Sequence, residues 1–280
     1  MKQAAIVIAV LGICVGVWAQ DKSATQTAPN AQSTTTAQGK RAPAAKTQPE
    51  FEAYKAAIQL TDPAAAEKAA EDFSAKYPDS ELRVVLYKAA MQKYQTNADK
   101  MLEMAQKSLA IDPDDPEALV TASQVLAEKT RDTDLDRDQK LAEAKKDAER
   151  ALVTVDSDVP SAGFPPEKID QFKRFIRSEA YAILGTLASN AKNYAEAESD
   201  LRKSVEAFPE QVDPVAVLRL AIALDMQNKY PDALKYANQA VDLTKNQPDS
   251  PAAKAAHSEQ DRLTKLSSGS APGQSAAPPK

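Results

Sequence analysis

Apolar residues recur at helical spacing along most of this chain. Tyr194, Ala197, Leu201, Val205 and Phe208 step by 3, 4, 4 and 3, and Met101, Ala105, Leu109 and Ile111 keep nearly the same rhythm. The starts of these stretches share one form, a capping side chain followed by proline: Asp62-Pro63, Asp115-Pro116, Asp213-Pro214 and Ser250-Pro251. The cap accepts a free amide of the first turn, and the proline is preset for the helix and lacks the N–H that would go unpaired. Tyr230-Pro231 opens a further helix without such a cap, while Tyr77-Pro78, Asp112-Pro113 and Phe208-Pro209 mark ends. Short loops between helices make neighbours antiparallel, so the pattern predicts consecutive helical hairpins. One longer helix enters at Glu167, with Ile169, Phe172, Ile176, Ala180, Ile183 and Leu187 on a single stripe. A last helix over 250–266 carries Lys254, Ser258, Glu259, Asp261, Arg262 and Lys265, the polar outer side that the end of a stacked array requires.

Composition agrees with this picture and narrows the chemistry. Of 280 residues 43% are hydrophobic and 27% charged, which is a globular balance. Alanine occurs 53 times and glycine 7 times, and aromatics reach 5%. Alanine is the best helix former and glycine among the worst, so sandwiches, barrels and doubly wound sheets are disfavoured and an all-α fold is expected. One cysteine excludes a disulfide framework and a cysteine-based zinc site. One histidine, His257, placed among polar residues on the last helix, leaves no basis for histidine catalysis.

The hairpins repeat. Pro78 to Pro113 spans 35 residues, close to the period of about 34 of a two-helix repeat. In the clearest copy, 178–211, Tyr181, Leu184-Gly185, Tyr194, Ala197 and Pro209 stand at the spacing of a tetratricopeptide repeat. The next copy, from Pro214, has Leu220-Ala221, Tyr230, Ala233 and Ala240. An earlier one over 116–156 has Ala122-Ser123, Ala144, Ala148 and Ala151-Leu152, with insertions over 129–140 and 157–168. Over residues 48–266 the chain resembles the tetratricopeptide-repeat family. The resemblance implies an α-solenoid of about five hairpins plus a closing helix, wound as a right-handed superhelix. It also implies that Gly185 and Ala197 sit where two helices cross closely. First helices would line the concave side, placing Glu179, Ala182, Thr186 and Asn190 of one repeat, and Val215, Leu218, Ile222 and Met226 of the next, in a groove that binds a peptide or protein. A tetratricopeptide scaffold has no reaction and no cofactor of its own.

The ends of the chain are of different material. Lys2 precedes an apolar run from Ala4 to Trp18, shorter than the roughly 20 residues of a membrane span, and it closes on Val17-Trp18-Ala19. Residues 1–19 therefore read as a secretory leader cut before Gln20, which predicts an exported protein in a bacterial periplasm with no transmembrane segment after cleavage. Two other readings stay open, an uncleaved anchor and a lipoprotein signal at Leu11-Gly12-Ile13-Cys14, in which Ile13 is bulkier than that signal favours. Residues 20–49 contain no Val, Ile, Leu, Met, Phe, Tyr or Trp, so a flexible arm is expected over 20–47 and a similar tail over 267–280. Between them, residues 50–266 hold 29 basic and 39 acidic groups, a net charge of −10, which opposes binding of a nucleic-acid backbone.

Few constellations suggest chemistry. Asp132, Asp134, Asp136 and Glu143 reproduce part of a calcium-loop spacing, but Arg137 stands where such a loop turns on glycine. A solvated inter-helix loop is the expectation there, and no metal site is expected. No glycine-rich phosphate loop or nucleophile elbow occurs. A carboxylate pair acting on cell-wall glycans, or a role as accessory to a membrane complex, are the alternatives to a binding scaffold. No spacing selects such a pair.

Overall fold

The computed structural model describes residues 40–160 and 164–267. Among them are eleven α-helices, one 3-10 turn and no strand. The helices are α1 (Gln48–Ile58), α2 (Pro63–Lys76), α3 (Leu82–Lys93), α4 (Ala98–Leu109), α5 (Pro116–Lys129), α6 (Arg137–Thr154), α7 (Pro166–Asn190), α8 (Tyr194–Ala207), α9 (Pro214–Asp225), α10 (Tyr230–Thr244) and α11 (Pro251–Ser267). Five hairpins and a closing helix are thus present, and consecutive helices pack on one another over α1–α4 and over α8–α11, as an α-solenoid requires. The proline-linked caps form as the sequence implies. Asp62 accepts from the Ala65 amide, Asp115 from Ala118, Asp213 from Val215 and Ala216, and Ser250 from Ala253. Tyr230 begins α10 after Lys229, which makes no side-chain cap. Two caps carry no proline signal: Asn97 accepts from the Lys100 amide and Asn193 from that of Glu196.

The chain divides into two compact units, one with described residues 119–152 and 174–267, the other with 40–118 and 153–173, so that α5, α6 and α7 contribute to both. In the first, α8, α9, α10 and α11 pack in succession around Leu201, Leu220, Leu224 and Leu263, all at 0% exposure, and alanines of each helix. Small side chains bring helix axes close, as at Gly185. A Cβ there would stand 2.6 Å from Leu201 Cγ and 3.2 Å from the Ala197 carbonyl oxygen. The two best repeats also turn alike. Lys192 (φ 61°) and Asn228 (φ 60°) hold the same place after α7 and α9. The following amides, of Asn193 and Lys229, donate back to the carbonyls of Ala188 and Leu224 at 2.8 and 3.0 Å. Each is a left-handed C-terminal cap in which a residue other than glycine takes the unfavoured conformation.

The second unit is held differently. Its core uses Met91, Met101 and Met104 with Tyr54 and Phe73, and its helices are tied by charge. Lys88 of α3 is buried between Asp115 (2.8 Å) and Glu117 (3.0 Å) at the start of α5. Burial alone would pull the Lys88 pKa down, but the two carboxylates outweigh it and hold the ammonium above its ordinary value. Lys100 and Lys107 of α4 join Glu67, Glu71 and Glu103.

Residues 40–47, expected to belong to a flexible arm over 20–47, make contacts with the helices. The Lys40 amide donates to the Ser157 carbonyl at 2.8 Å, and its ammonium meets Asp112 (2.6 Å) and Asp158 (3.3 Å). Arg41 pairs with Glu81, Lys46 donates to the Asp79 carbonyl, and Thr47 caps α1. An arm without apolar side chains is anchored by its cations on an acidic body. The leader over 1–19, residues 20–39 and the tail over 268–280 lie outside the described residues, and Ser267, expected in the tail, is the last residue of α11.

Candidate partner-binding face

The residues expected to line a groove on α9 do not share one environment. Ile222 and Met226 are 41% and 51% exposed, whereas Leu218 is 7% exposed and Val215 half-buried. Leu218 belongs to a buried cluster with Val217, Ala240 and Ala256. Its assignment to an open groove is therefore corrected. Alanines on α10 and α11 let those helices come close enough to cover the first turns of α9. Only the C-terminal half of the apolar stripe is bare. The guanidinium of Arg262 on α11 also reaches Asp225 at 2.5 Å, fixing α11 against the end of α9 without covering Ile222 or Met226.

On α7, Asn190 is exposed, while Ala182 and Thr186 are buried. The Thr186 hydroxyl donates to the Ala182 carbonyl at 2.7 Å, so its polar group is used within its own helix. Glu179 is half-buried, and its carboxyl is raised to about 7, mainly by burial. Asp213 and Glu128 push it further up and Arg219 works against them. No hydrogen bond or ion pair within 4 Å holds this carboxyl among the described residues. Glu128 of α5, Glu179 of α7, and Asp213 and Arg219 of α9 thus influence one another, with Asp213 at the N-terminal cap of α9, the end opposite Ile222 and Met226. Nothing in the spacing of Glu128 or Arg219 singled them out; their role follows only from the stacking of first helices.

The residues assigned to repeat packing are distributed as follows. Leu184, Gly185, Ala197, Leu220, Ala221 and Ala233 are buried, and Tyr181, Tyr194 and Tyr230 are half-buried. The Lys203 ammonium lies 5.2 Å from the Tyr181 ring centre. The Tyr194 carbonyl accepts from Gln227 at 3.0 Å, and the Tyr230 hydroxyl donates to Asn228 at 2.6 Å, so both tyrosines brace a turn. Pro209 is exposed and opens the 3-10 turn Pro209–Gln211. Sequence reasoning passed over Glu198, which collects Arg202, Gln227 and Lys229 at 2.6 to 3.1 Å across α8 and α9; its only local signal is the four-residue spacing to Arg202.

Other acidic groups make ion pairs within the protein. In the loop before α6 and its first turn, Arg137 meets Asp132 and Asp138, and Lys140 meets Asp134 and Asp136, so two cations are shared among four aspartates. Glu67, Glu71 and Glu103 bring oxygens within 4.8 Å of one another, but Lys100 and Lys107 bridge them, and Tyr94 donates to Glu67. His257 is exposed on α11. No helix among the described residues is long and apolar enough to cross a membrane.

No family model and no curated protein matches the chain. Among solved structures it is similar to an assembly chaperone of RpL4 (Acl4, residues 1–338), at 14% identity and a TM-score of 0.39, over 79% of this chain and 99% of that one. Likeness at that level bears on neither partner nor activity. The helices define an all-α fold of successive helical hairpins among the described residues.

Proposed function

We propose that this chain is an exported, tetratricopeptide-type scaffold with no reaction of its own, which binds a protein or peptide on the face built by α7 and the C-terminal half of α9. The carrying observation is the exposed pair Ile222 and Met226, on a helix whose other large apolar side chains are buried or half-buried. Adjacent exposed apolar groups rimmed by charge mark contact sites, and a methionine adapts to varied surfaces. The recurrent turn at Lys192 and Asn228 and the glycine-sized crossing at Gly185 support the repeat reading. The leader of residues 1–19 supports export, with Gln20 as the mature N-terminus; mass spectrometry finding an acylated Cys14 instead would make it a lipid-anchored accessory.

The test replaces Ile222 and Met226 by aspartate together, leaving buried Leu218 alone. Crosslinking in an envelope extract, quantified against wild type, is expected to lose a specific adduct while circular dichroism and melting temperature hold. An unchanged adduct pattern in the folded variant would overturn the assignment of this face.

A further inference from the structure

We propose that residues 40–47 form a salt-sensitive strap that clamps the loops between the first hairpins, so that ionic strength sets how firmly those loops are held. The segment contains no helix and no strand. Its bonds nevertheless reach three loops that lie far apart in the sequence. The Lys46 ammonium donates to the Asp79 carbonyl at 2.7 Å. One guanidinium nitrogen of Arg41 donates to both oxygens of Glu81, at 2.5 and 2.8 Å. Both therefore hold the loop between α2 and α3. Lys40 holds the other two. Its ammonium joins Asp112, after α4, to Asp158, after α6, and its amide donates to the Ser157 carbonyl at 2.8 Å. All these residues belong to one compact unit, whose described part is made of two stretches, 40–118 and 153–173. Lys40 ties one stretch to the other.

The strap is built to stay on at low salt and to come off at high salt. Ala42, Pro43 and Ala45 are half-buried, so the segment lies against the body. Pro43 narrows the conformations open to itself and to Ala42 before folding, which lowers the entropy lost on docking. The bonds that hold it are open to water. The side chains of Lys40 and Arg41 are 39% and 67% exposed, and such ion pairs are weak and screened by salt. The Debye length falls from about 10 Å at 0.1 M to about 3 Å at 1 M. Release is not neutral for the loops. Asp112 and Asp158 are drawn to a single nitrogen, and once it leaves two like charges face each other. Val155 and Val159 are buried and keep the second stretch attached, so the loops loosen while the unit stays folded.

The experiment is amide hydrogen exchange on the full chain, resolved residue by residue by NMR, at about 0.05 M and about 1 M sodium chloride. At low salt the Lys40 amide is expected to exchange at least about tenfold more slowly than in an unstructured chain, and at high salt to lose about threefold or more of that protection. Lys40→Gln with Arg41→Gln is expected to abolish the protection at both salt concentrations, and Asp112→Asn with Asp158→Asn to reduce it. The decisive reporters are the amides of Asp112 and Asp158, which donate to the Ser108 and Thr154 carbonyls at 2.9 and 2.8 Å. Wherever the Lys40 amide is freed, these two are expected to exchange about threefold faster or more. The Met226 amide, bonded to the Ile222 carbonyl in the other unit, is expected not to change. Lys68→Gln, which breaks an exposed pair within α2, is expected to leave all four rates alone. An unprotected Lys40 amide at low salt, or protection indifferent to both salt and the Lys40 and Arg41 substitutions, would overturn the proposal. So would unchanged Asp112 and Asp158 amides when the Lys40 amide is freed, since the segment would then be a passenger. The wild-type salt series needs no variant to fold, and it decides the matter alone if a substituted chain unfolds.

Discussion

The α3–α4 region and the α7–α10 region are both built from helical hairpins, yet they are held together by different means. In the first, methionines fill the core and a buried lysine joins two carboxylates between α3 and α5. In the second, alanines and one glycine bring backbones into close contact, and the ion pairs lie at the edges. Small residues at fixed spacing leave an imprint on the sequence, because few other side chains fit a close crossing. Methionine and lysine leave none, since a flexible side chain fills many shapes and an ion pair needs only a partner brought near by the fold. The repeat is therefore plain over 178–240 and faint over 48–113, although both stretches fold into hairpins.

The largest test of this contrast falls on Lys88. Its side chain is 13% exposed, and those of Asp115 and Glu117 are 6% and 8%. Lys88→Met is expected to cost about 3–5 kcal/mol, because two buried carboxylates lose their cation, although Gln92 still donates to Glu117. Thermal or urea unfolding reads this directly. Lys107→Met, in a more open network at 30% exposure, is expected to cost less than about 1 kcal/mol. A folded-state pKa above the ordinary lysine value of 10.5 also sets the sign with pH. The contribution of Lys88 is fully present at neutral pH and is lost only as pH rises beyond that ordinary value. Equal losses at Lys88 and Lys107 would show that the buried pair carries no special weight.

Gly185 tests the other region. Replacing glycine by alanine inside a helix ordinarily stabilises by about 0.5–1 kcal/mol. Here the new Cβ would meet Leu201 Cγ at 2.6 Å, so the sign is expected to reverse. Gly185→Leu is expected to cost about 1–3 kcal/mol or more, while Ala195→Leu, on the exposed side of α8, changes little. A stabilising Gly185→Ala, read from the melting temperature, would remove the close crossing on which the repeat register rests.

How far the sequence could be read follows from these residues. Helix number, the proline-linked caps and the closing helix were legible because each depends on neighbours within a few positions. Leu218 was not, since its burial depends on how closely α10 and α11 approach, and Ala240 and Ala256 allow that approach without announcing it. The site was half legible. Ile222 and Met226 follow from helical spacing, but the setting of Glu179 is made by Glu128, Asp213 and Arg219 from two other helices. The anchoring of residues 40–47 escaped for a related reason. Absence of apolar side chains predicts no packing, and charge did the holding instead.

A pH experiment tests the setting of Glu179. Glu179 is raised to about 7 from an ordinary 4.5, so the folded protein binds the proton more tightly than the unfolded chain does. For an acid shifted upward, the stability it contributes is present below about 4.5 and is lost as pH rises through about 7. Glu179→Gln removes the charge and is expected to stabilise the fold at pH 8 by about 1–2 kcal/mol, with little change at pH 4.5. Chemical unfolding at the two pH values measures it. An equal effect at both would mean that the carboxyl is hydrated and that Glu179 is an ordinary surface acid.

The smallest expected effect separates the two matching hairpins from each other. Lys192 and Asn228 hold the same left-handed conformation at the same place, with φ of 61° and 60°. A side chain with a Cβ resists this conformation by roughly 1–2 kcal/mol, asparagine tolerates it better than lysine, and glycine takes it freely. Glycine in turn gives up more chain entropy on folding, which offsets part of the gain. Lys192→Gly is therefore expected to stabilise by about 0.5–1 kcal/mol, and Asn228→Gly by less. Asn228 also accepts the Tyr230 hydroxyl through Oδ1 at 2.6 Å, a bond that glycine deletes, so its net change is expected near zero or unfavourable. Melting temperatures of the two single variants decide the point. A larger gain at Asn228 would mean that its turn is the more strained of the two, and that the hairpins share a conformation without sharing its energetics.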